Sequence, residues 1–485
     1  MSELLKRANK YKESKKCENI DIYRPNFHFT PVCGWINDPN GFIYYNGQYH
    51  LFYQHYPYDT IWGPMHWGHA VSADLIKWYH LPIAMAPDEI YDKDGCFSGS
   101  AIEKEGKLYL IYTGHVHPNN YKNLVNQTQC IAFSNDGVNF DKYSNNPVIK
   151  NELFTDDMSI SDFRDPRVIK IDNKYFCIVG SKTTQGIGQL LLFESEDLIE
   201  WKFKSVMLKG DERFGNMWEC PDMFHLDDKD VIIISPIAMN SQGERYKNVS
   251  SSIWMIGTFN SSEGKFIMEK YGEIDHGLDF YAPQSTISPD GKRIMIAWME
   301  IWGHTMPTHE MGLNWTGAMI LPRELSIKNN ELIQKPVSSI DKYCKLVEEI
   351  KELSVDNFNK TFKLKTAMRI KCKINITENT KINIQVYPTD SENIFLTYKD
   401  NQFTLYRKNS CYLKDDYRKT DVLNLNNLFE IDIILDNSAL EIFLDGGRRV
   451  LSARVYPQNT ESLMEISIIG SAKIHKLECF SIKVQ

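Results

Sequence analysis

The stretch "GWINDPNGFIYYNGQYHLFYQ" (34–54) holds an Asn-Gly pair at 46–47 between two runs rich in aromatic and β-branched residues. Such a pair at the junction of two strand-like runs is a hairpin signal. The same turn-then-strand pattern returns four times. It is seen in "EGKLYLIYTG" from Glu105, "DNKYFCIVGS" from Asp172, "DKDVIIISP" from Asp228 and "DGKRIMIAWM" from Asp290. With Tyr49, Tyr109, Tyr175, Val231 and Ile294 taken as equivalent, the spacings are 60, 66, 56 and 63 residues. A second pattern recurs between these turns: "SADLIKWYHLP" from Ser72, "SNDGVNFDKYSNNPVI" from Ser134 and "SEDLIEWKFKSVML" from Ser195. "GTFNSSEGKFIMEKYGEI" from Gly257 is a looser copy.

Short strands, tight turns and a long regular period predict a radial array of four-stranded sheets. No single blade can bury both of its faces, so five in phase close around an axis. Residues 27–335 are therefore expected to form a five-bladed β-propeller, after an N-terminal extension at 1–26. From Pro336 the texture changes. Residues 336–354 read as a linker with a short helical pattern, apolar at Leu346, Val347, Ile350 and Leu353. Alternating runs such as "TFKLKTAMRIKCKINI" and "LFEIDIILDNSALEIFLDGG" then predict a C-terminal β-sandwich over 355–485. The fold class is all-β.

Composition narrows the function. Hydrophobic residues make up 42% and charged residues 24% of the 485, as in a water-soluble globular protein. A formal net charge of −8 argues against nucleic acid or an anionic membrane as partner. The charged N-terminal stretch has no apolar signal-peptide core, and no run of the chain is apolar enough to span a membrane. Ten cysteines stand singly, at 17, 33, 96, 130, 177, 220, 344, 372, 411 and 479, with no CxxC pair. They read as reduced thiols of a cytoplasmic protein. Oligomeric state is not legible.

The repeat also places the acids. Asp38, Ser98, Asp165, Glu219 and Tyr281 lie 11, 11, 10, 12 and 13 residues ahead of the five reference positions. Each therefore starts the first strand of its blade. First strands line a propeller's axis, so Asp38, Asp165 and Glu219 are expected to converge. Their mutual repulsion is a cost that a purely structural core would avoid; Arg164, beside Asp165, offsets part of it. Two essential acids without metal ligands suit glycoside hydrolysis, one carboxyl ionised and the other held protonated. Asn37 and Gln54 are candidate hydroxyl partners for a sugar, and Trp62, Phe97, Trp218 and Trp298 candidate apolar walls. "HWGH" (66–69) carries two histidines, read as blade packing; no metal or other cofactor is expected.

"WINDPNG" (35–41), "FSGS" (97–100), "FRDP" (163–166), "WECPD" (218–222), "DFYAPQ" (279–284) and "LPREL" (321–325) resemble the ordered motifs of glycoside hydrolase family 32. "LDNSALEIFLDGG" and "ARVYP" resemble its C-terminal sandwich. The resemblance implies retaining cleavage of terminal β-D-fructofuranosides, with no metal. It implies Asp38 as nucleophile, Glu219 as general acid/base and Asp165 as the group that holds fructose hydroxyls and stabilises the transition state. Substrate contacts are expected from Asn37, Gln54, Trp62, Phe97, Ser98, Arg164, Tyr281 and Trp298. Sucrose, sucrose-6-phosphate and short fructo-oligosaccharides are the favoured small-molecule substrates. An exo-fructanase of inulin or levan, a fructosyltransferase and a non-catalytic carbohydrate-binding propeller are the alternatives. A phosphate would need a basic subsite, for which Lys93, His304 and His309 are weak candidates.

Overall fold

A computed structural model describes residues 2–16, 21–118, 124–365, 367–388, 393–408, 413–423, 427–456 and 462–484. Five antiparallel sheets surround one axis. Their first strands are Gly34–Tyr45, Gly95–Lys104, Phe163–Ile171, Met217–Leu226 and Tyr281–Ile287, each followed outward by its hairpin partner. The hairpin strands are buried on both faces, because blades pack face to face: Gln48–Tyr56 is closed off except at its two ends. The ring is closed by Trp315–Thr316, which leaves blade five and pairs in parallel with Gly34–Trp35. The approach is tight enough that a Cβ on Gly317 (φ +89) would lie 2.4 Å from the Ile36 carbonyl oxygen. On the axis Gln284 ties three blades, accepting from Phe42 N at 2.8 Å and donating to Gly99 O at 3.0 Å.

The second sequence repeat proves to be a turn. Ser72 Oγ accepts from the Asp74 and Leu75 amides, and Asp74 Oδ1 from those of Ile76 and Lys77. Ser134/Asp136 and Ser195/Asp197 repeat the arrangement. Short polar side chains thus satisfy backbone donors that the turn leaves open. Asn260 does the same alone in the looser fourth copy.

Residues 336–354 are not helical as expected. Ser338–Tyr343 is a short 3-10 turn, and Cys344–Leu364 is a 21-residue strand paired along its length with Ser462–Ile482. Leu346, Val347 and Leu353 are exposed, so their spacing marks no buried helical face. The sandwich therefore starts at Cys344, ahead of the expected 355. Its strand Ser462–Ile482 serves both layers: residues 464–469 pair with Lys381–Val386, and residues 472–482 with Ala367–Ile376. Gly470, at φ +93, lies between the two pairings. The N-terminal extension contains a helix, Glu3–Ser14, capped by Ser2 and seated through Leu5 and Ala8 on Ile83 and Ala86.

Charged groups weld propeller to sandwich. Arg323 donates to Asp275 at 3.0 Å and to Glu441 at 2.6 Å, while His28 bridges Asp436 and Glu441 at 2.9 Å each. Arg454 pairs with Glu300, and Arg407 with Asp279. Among the described residues no helix is long and apolar enough to cross a membrane.

Candidate active site

Every first strand breaks register at the same depth. The pairing skips between Ile36 and Pro39, Phe97 and Gly99, Glu219 and Asp222, and Tyr281 and Gln284; in blade three it skips opposite Ile178 and Gly180. Such a bulge re-aims the residues within it. Asp165, Cys220 and Ala282, each just before a proline, take left-handed backbone (φ 63, 47 and 52). Non-glycine residues held there cost about 1–3 kcal/mol each and persist only where their surroundings enforce them. This corrects the expected equivalence of Asp165 with Glu219. Arg164, Glu219 and Tyr281 pair with Gly180, Ser235 and Trp298, so these three share one register position, and Asp165 corresponds to Cys220.

The shared position forms a chain across three blades. Arg164 Nε donates to Glu219 Oε1 at 2.9 Å, and the Tyr281 hydroxyl donates to Glu219 Oε2 at 2.5 Å. Arg164 also meets Asp162 at 3.1 Å, and Asp162 meets Lys182 at 2.8 Å. Its guanidinium thus grips Glu219 and Asp162, not the neighbouring Asp165. Burial opposes the arginine's charge, but Glu219, Asp165 and Asp162 together hold it protonated.

Asp38 is set deeper. Ser98 Oγ donates to its Oδ2 at 2.6 Å and Asn37 Nδ2 to its Oδ1 at 3.1 Å; Trp35 Nε1 in turn fixes Asn37 at 2.8 Å. The Cys220 thiol lies between the other two acids, 3.4 Å from Asp38 Oδ2 and 3.6 Å from Asp165 Oδ2. Asp165 also accepts from the Cys220 amide at 3.0 Å, and its own amide donates to Thr113 Oγ1 at 2.9 Å. Burial raises the Asp38 carboxyl above its ordinary range, with the Glu219 charge adding to the rise and Ser98 and Asn37 opposing it. Asp165 is raised to about 7, by burial and then by Glu219. Glu219 is the most open of the three, its side chain 19% exposed.

Trp62 stands at the rim, 45% exposed, edge-on to Phe97. Phe97 stacks on His115 at 4.0 Å and 4°. Gln54 is buried and spends its amide N–H on Cys96 O, tying blade one to blade two. Two of the expected walls prove to be core. Trp218 packs in the layer between blades three and four and bonds Phe214 O. Trp298 is fully buried beneath Trp35 and Trp302, which leaves Trp302 as the half-exposed ring of that cluster. His66 and His69 are buried blade-packing residues, His69 stacked on Phe52. Sequence reading missed Cys220, Asp162, Trp302 and His115. Only Cys220 carried a signal, sitting inside the motif that names its neighbour.

Among the described residues no group of His, Cys, Asp and Glu could hold a metal ion. The arrangement can hold a neutral, polyhydroxylated ring between a deep carboxylate, a second bulge carboxylate and a more open one fixed by Arg164 and Tyr281.

Residues 28–336 match the model for the N-terminal domain of glycosyl hydrolases family 32, and 340–483 that for its C-terminal domain. A sucrose-6-phosphate hydrolase of Escherichia coli is 36% identical over 94% of each chain. One of Bacillus subtilis is 34% identical over 98% of this chain and 97% of its own. A β-fructofuranosidase of Bombyx mori, also solved in complex with sucrose, superposes with a TM-score of 0.87 at 32% identity, over 99% of this chain and 98% of that one. With both domains matched end to end, the chain belongs to glycosyl hydrolase family 32.

Proposed function

We propose that the protein is a β-fructofuranosidase that cleaves the terminal fructosyl unit of sucrose, phosphorylated or not, and of short fructo-oligosaccharides, with retention. The observation that carries this reading is the meeting of Asp38 and Asp165 at one thiol, with Glu219 held beside them by Arg164, in a fold whose relatives are named sucrose-6-phosphate hydrolase and β-fructofuranosidase. Asp38, held in place by Ser98 and Asn37, attacks C2 of the fructosyl unit. Glu219, open enough to exchange protons with solvent, protonates the leaving oxygen. Water then resolves the covalent intermediate, with Glu219 returning as base. Asp165 accepts hydrogen bonds from the ring hydroxyls. Trp62 and Phe97 shape the rim where the leaving sugar departs, and Arg164 and Tyr281 hold Glu219 in line. Cys96, Cys130, Cys177, Cys220, Cys344, Cys372 and Cys479 are free thiols, which fits a reducing cytoplasm supplied with imported small sugars; Cys17 and Cys411 lie outside the described residues.

Two variants test it. Asp38→Ala should lose about 10⁴-fold or more of sucrose turnover, and Glu219→Ala roughly 10²–10⁴-fold, both with unchanged melting temperature. Wild-type rates in either variant would sink the assignment. Relative turnover on sucrose, sucrose-6-phosphate, 1-kestose and inulin ranks the substrates, and a preference for inulin would overturn the priority of small sugars.

A further inference from the structure

Two cavities that lie away from the carboxylates differ in kind. One, of about 450 Å³ where propeller meets sandwich, is lined by charges already spent on each other: Arg369 with Asp341 and Asp432, Lys373 with Glu430, Lys476 with Glu478. The other, of about 520 Å³, lies wholly on the sandwich, and its polar groups are largely unspent. It crosses five adjacent strands. Cross-strand pairing places Tyr406, Phe395, Gln385 and Glu465 in one row, and Thr397, Asn383, Ser467 and Asn359 in the next. Five strands at about 4.8 Å spacing make a floor about 19 Å wide.

Three features of this floor point to a ligand. Asn383, Gln385, Thr397 and Ser467 are only half-exposed, although they face away from the sandwich core, and a cavity forms over them. Among the described residues their hydrogen-bonding capacity is barely used: the one bond among them is Asn383 Nδ2 to Ser467 Oγ, at a long 3.4 Å. Two aromatic rings, Phe395 and Tyr406, are paired directly across strands at one end of the polar rows. Half-buried amides without protein partners cost free energy unless water or a ligand satisfies them. Aromatic faces beside them supply the apolar contact that a sugar ring's C–H face needs. The lining charges, Lys381, Lys408 and Glu465, leave one net positive charge at the edge of a floor that is otherwise amide, hydroxyl and aromatic, which suits a neutral polyhydroxylated ligand better than a strongly charged one.

We infer that this cavity of the sandwich is a second carbohydrate-binding site, separate from the catalytic carboxylates, that takes a short neutral oligosaccharide across its strands. Phe395 and Tyr406 stack a ring at one end; Gln385, Asn383, Thr397 and Ser467 bond hydroxyls along the chain.

Isothermal titration of the full-length Asp38→Ala chain with 1-kestose, raffinose and maltotriose tests this without turnover. The expected result is two sites for 1-kestose in that chain. Adding Phe395→Ala and Gln385→Ala together should abolish the sandwich site and leave the active site alone. In the otherwise wild-type chain the same double change should leave the initial rate of sucrose hydrolysis and the melting temperature unaltered. Maltotriose has no fructosyl unit, so its binding reports on the sandwich even if the fructosidase reading fails. A single site in the Asp38→Ala chain, or trisaccharide binding untouched by the double change, overturns the inference. Tighter binding of glucose 6-phosphate than of any trisaccharide would overturn its neutral-ligand chemistry.

Discussion

Two places in this molecule gather three carboxylates each, and they are built to opposite ends. In the propeller mouth Asp38, Asp165 and Glu219 have one cation beside them, Arg164, which grips Glu219 alone of the three. At the domain junction Asp275, Asp436 and Glu441 share two, His28 and Arg323, and every one of these five side chains is 0% exposed. At the junction burial pushes Asp436 and Glu441 upward, but His28 with the Asn26 and Phe27 amides outweighs it at Asp436, and Arg323 with His28 outweighs it at Glu441, so both lie below the ordinary carboxylate range. Only Asp275 stays raised, burial outweighing Arg323 there. In the mouth burial wins, and Asp38 and Asp165 are raised. Equal numbers of acids thus make a structural weld where cations suffice and, in the proposed mechanism, a reactive site where they do not.

The sharpest way to break the comparison is to remove a cation or an acid from each place. Arg323→Met leaves the buried Asp275 without its cation and Glu441 with His28 alone, and unpairing a buried charge of this kind costs about 3–5 kcal/mol. Denaturant melts should show that loss, with kcat unaltered in the fraction that stays folded. Asp165→Asn removes one of three repelling acids, so it should leave stability equal or higher while turnover falls. A stable Arg323→Met protein, or an Asp165→Asn protein that melts early, would erase the distinction.

A somewhat smaller effect separates the two places by pH. His28 is raised from 6.5 to about 9: burial works against its charge, but the hydrogen bonds to Asp436 and Glu441 prevail. Folding then binds a proton, so the histidine's contribution is complete below pH 6.5 and is lost as pH rises through about 9. The loss amounts to roughly 3 kcal/mol. Asp436 and Glu441 have the opposite sign, lowered on folding, and their contribution fades as pH falls below the ordinary carboxylate range. Unfolding free energy measured from pH 6 to 10 should fall across the alkaline range in wild type. In His28→Gln it should start lower and run flat there. An equal alkaline slope in both proteins would place the titrating group elsewhere.

How far these places can be read from sequence follows from their range. The mouth lies at one phase of a repeat, so counting back from each hairpin finds Asp38, Ser98, Asp165, Glu219 and Tyr281. Counting cannot see the bulges, which displace Asp165 by one position from Glu219 and set Cys220 between the acids. Burial is equally invisible to residue type: Trp62 and Trp298 read alike, yet one is at the rim and the other in the core. The apolar spacing at 346–353 suggests a helix because a long edge-exposed strand carries no inward alternation to contradict it. The weld joins His28 to Glu441 across 413 positions, and no local pattern reports such a contact. The sandwich is legible as a fold through its alternation, while its cavity depends on twist and pairing.

The finest test of the mouth concerns Ser98, whose hydroxyl donates to Asp38 at 2.6 Å. That bond favours the ionised carboxylate, and it opposes the burial and the Glu219 charge that raise Asp38. In the proposed mechanism the nucleophile must be ionised, so the rate falls as pH drops through the Asp38 pKa. Ser98→Ala removes a stabiliser of the charge alone. A hydrogen bond to a charged group is worth about 1.5–3 kcal/mol, and about 1.4 kcal/mol moves a titration by one pH unit. The acid limb of kcat/KM should therefore move upward by about one pH unit or more, with the alkaline limb left in place. Ser98→Thr, which keeps the hydroxyl, should restore it. If instead the whole profile drops without moving, Ser98 orients substrate and does not set the ionisation of Asp38. The raised acids of the mouth would then owe their state to burial and mutual charge alone.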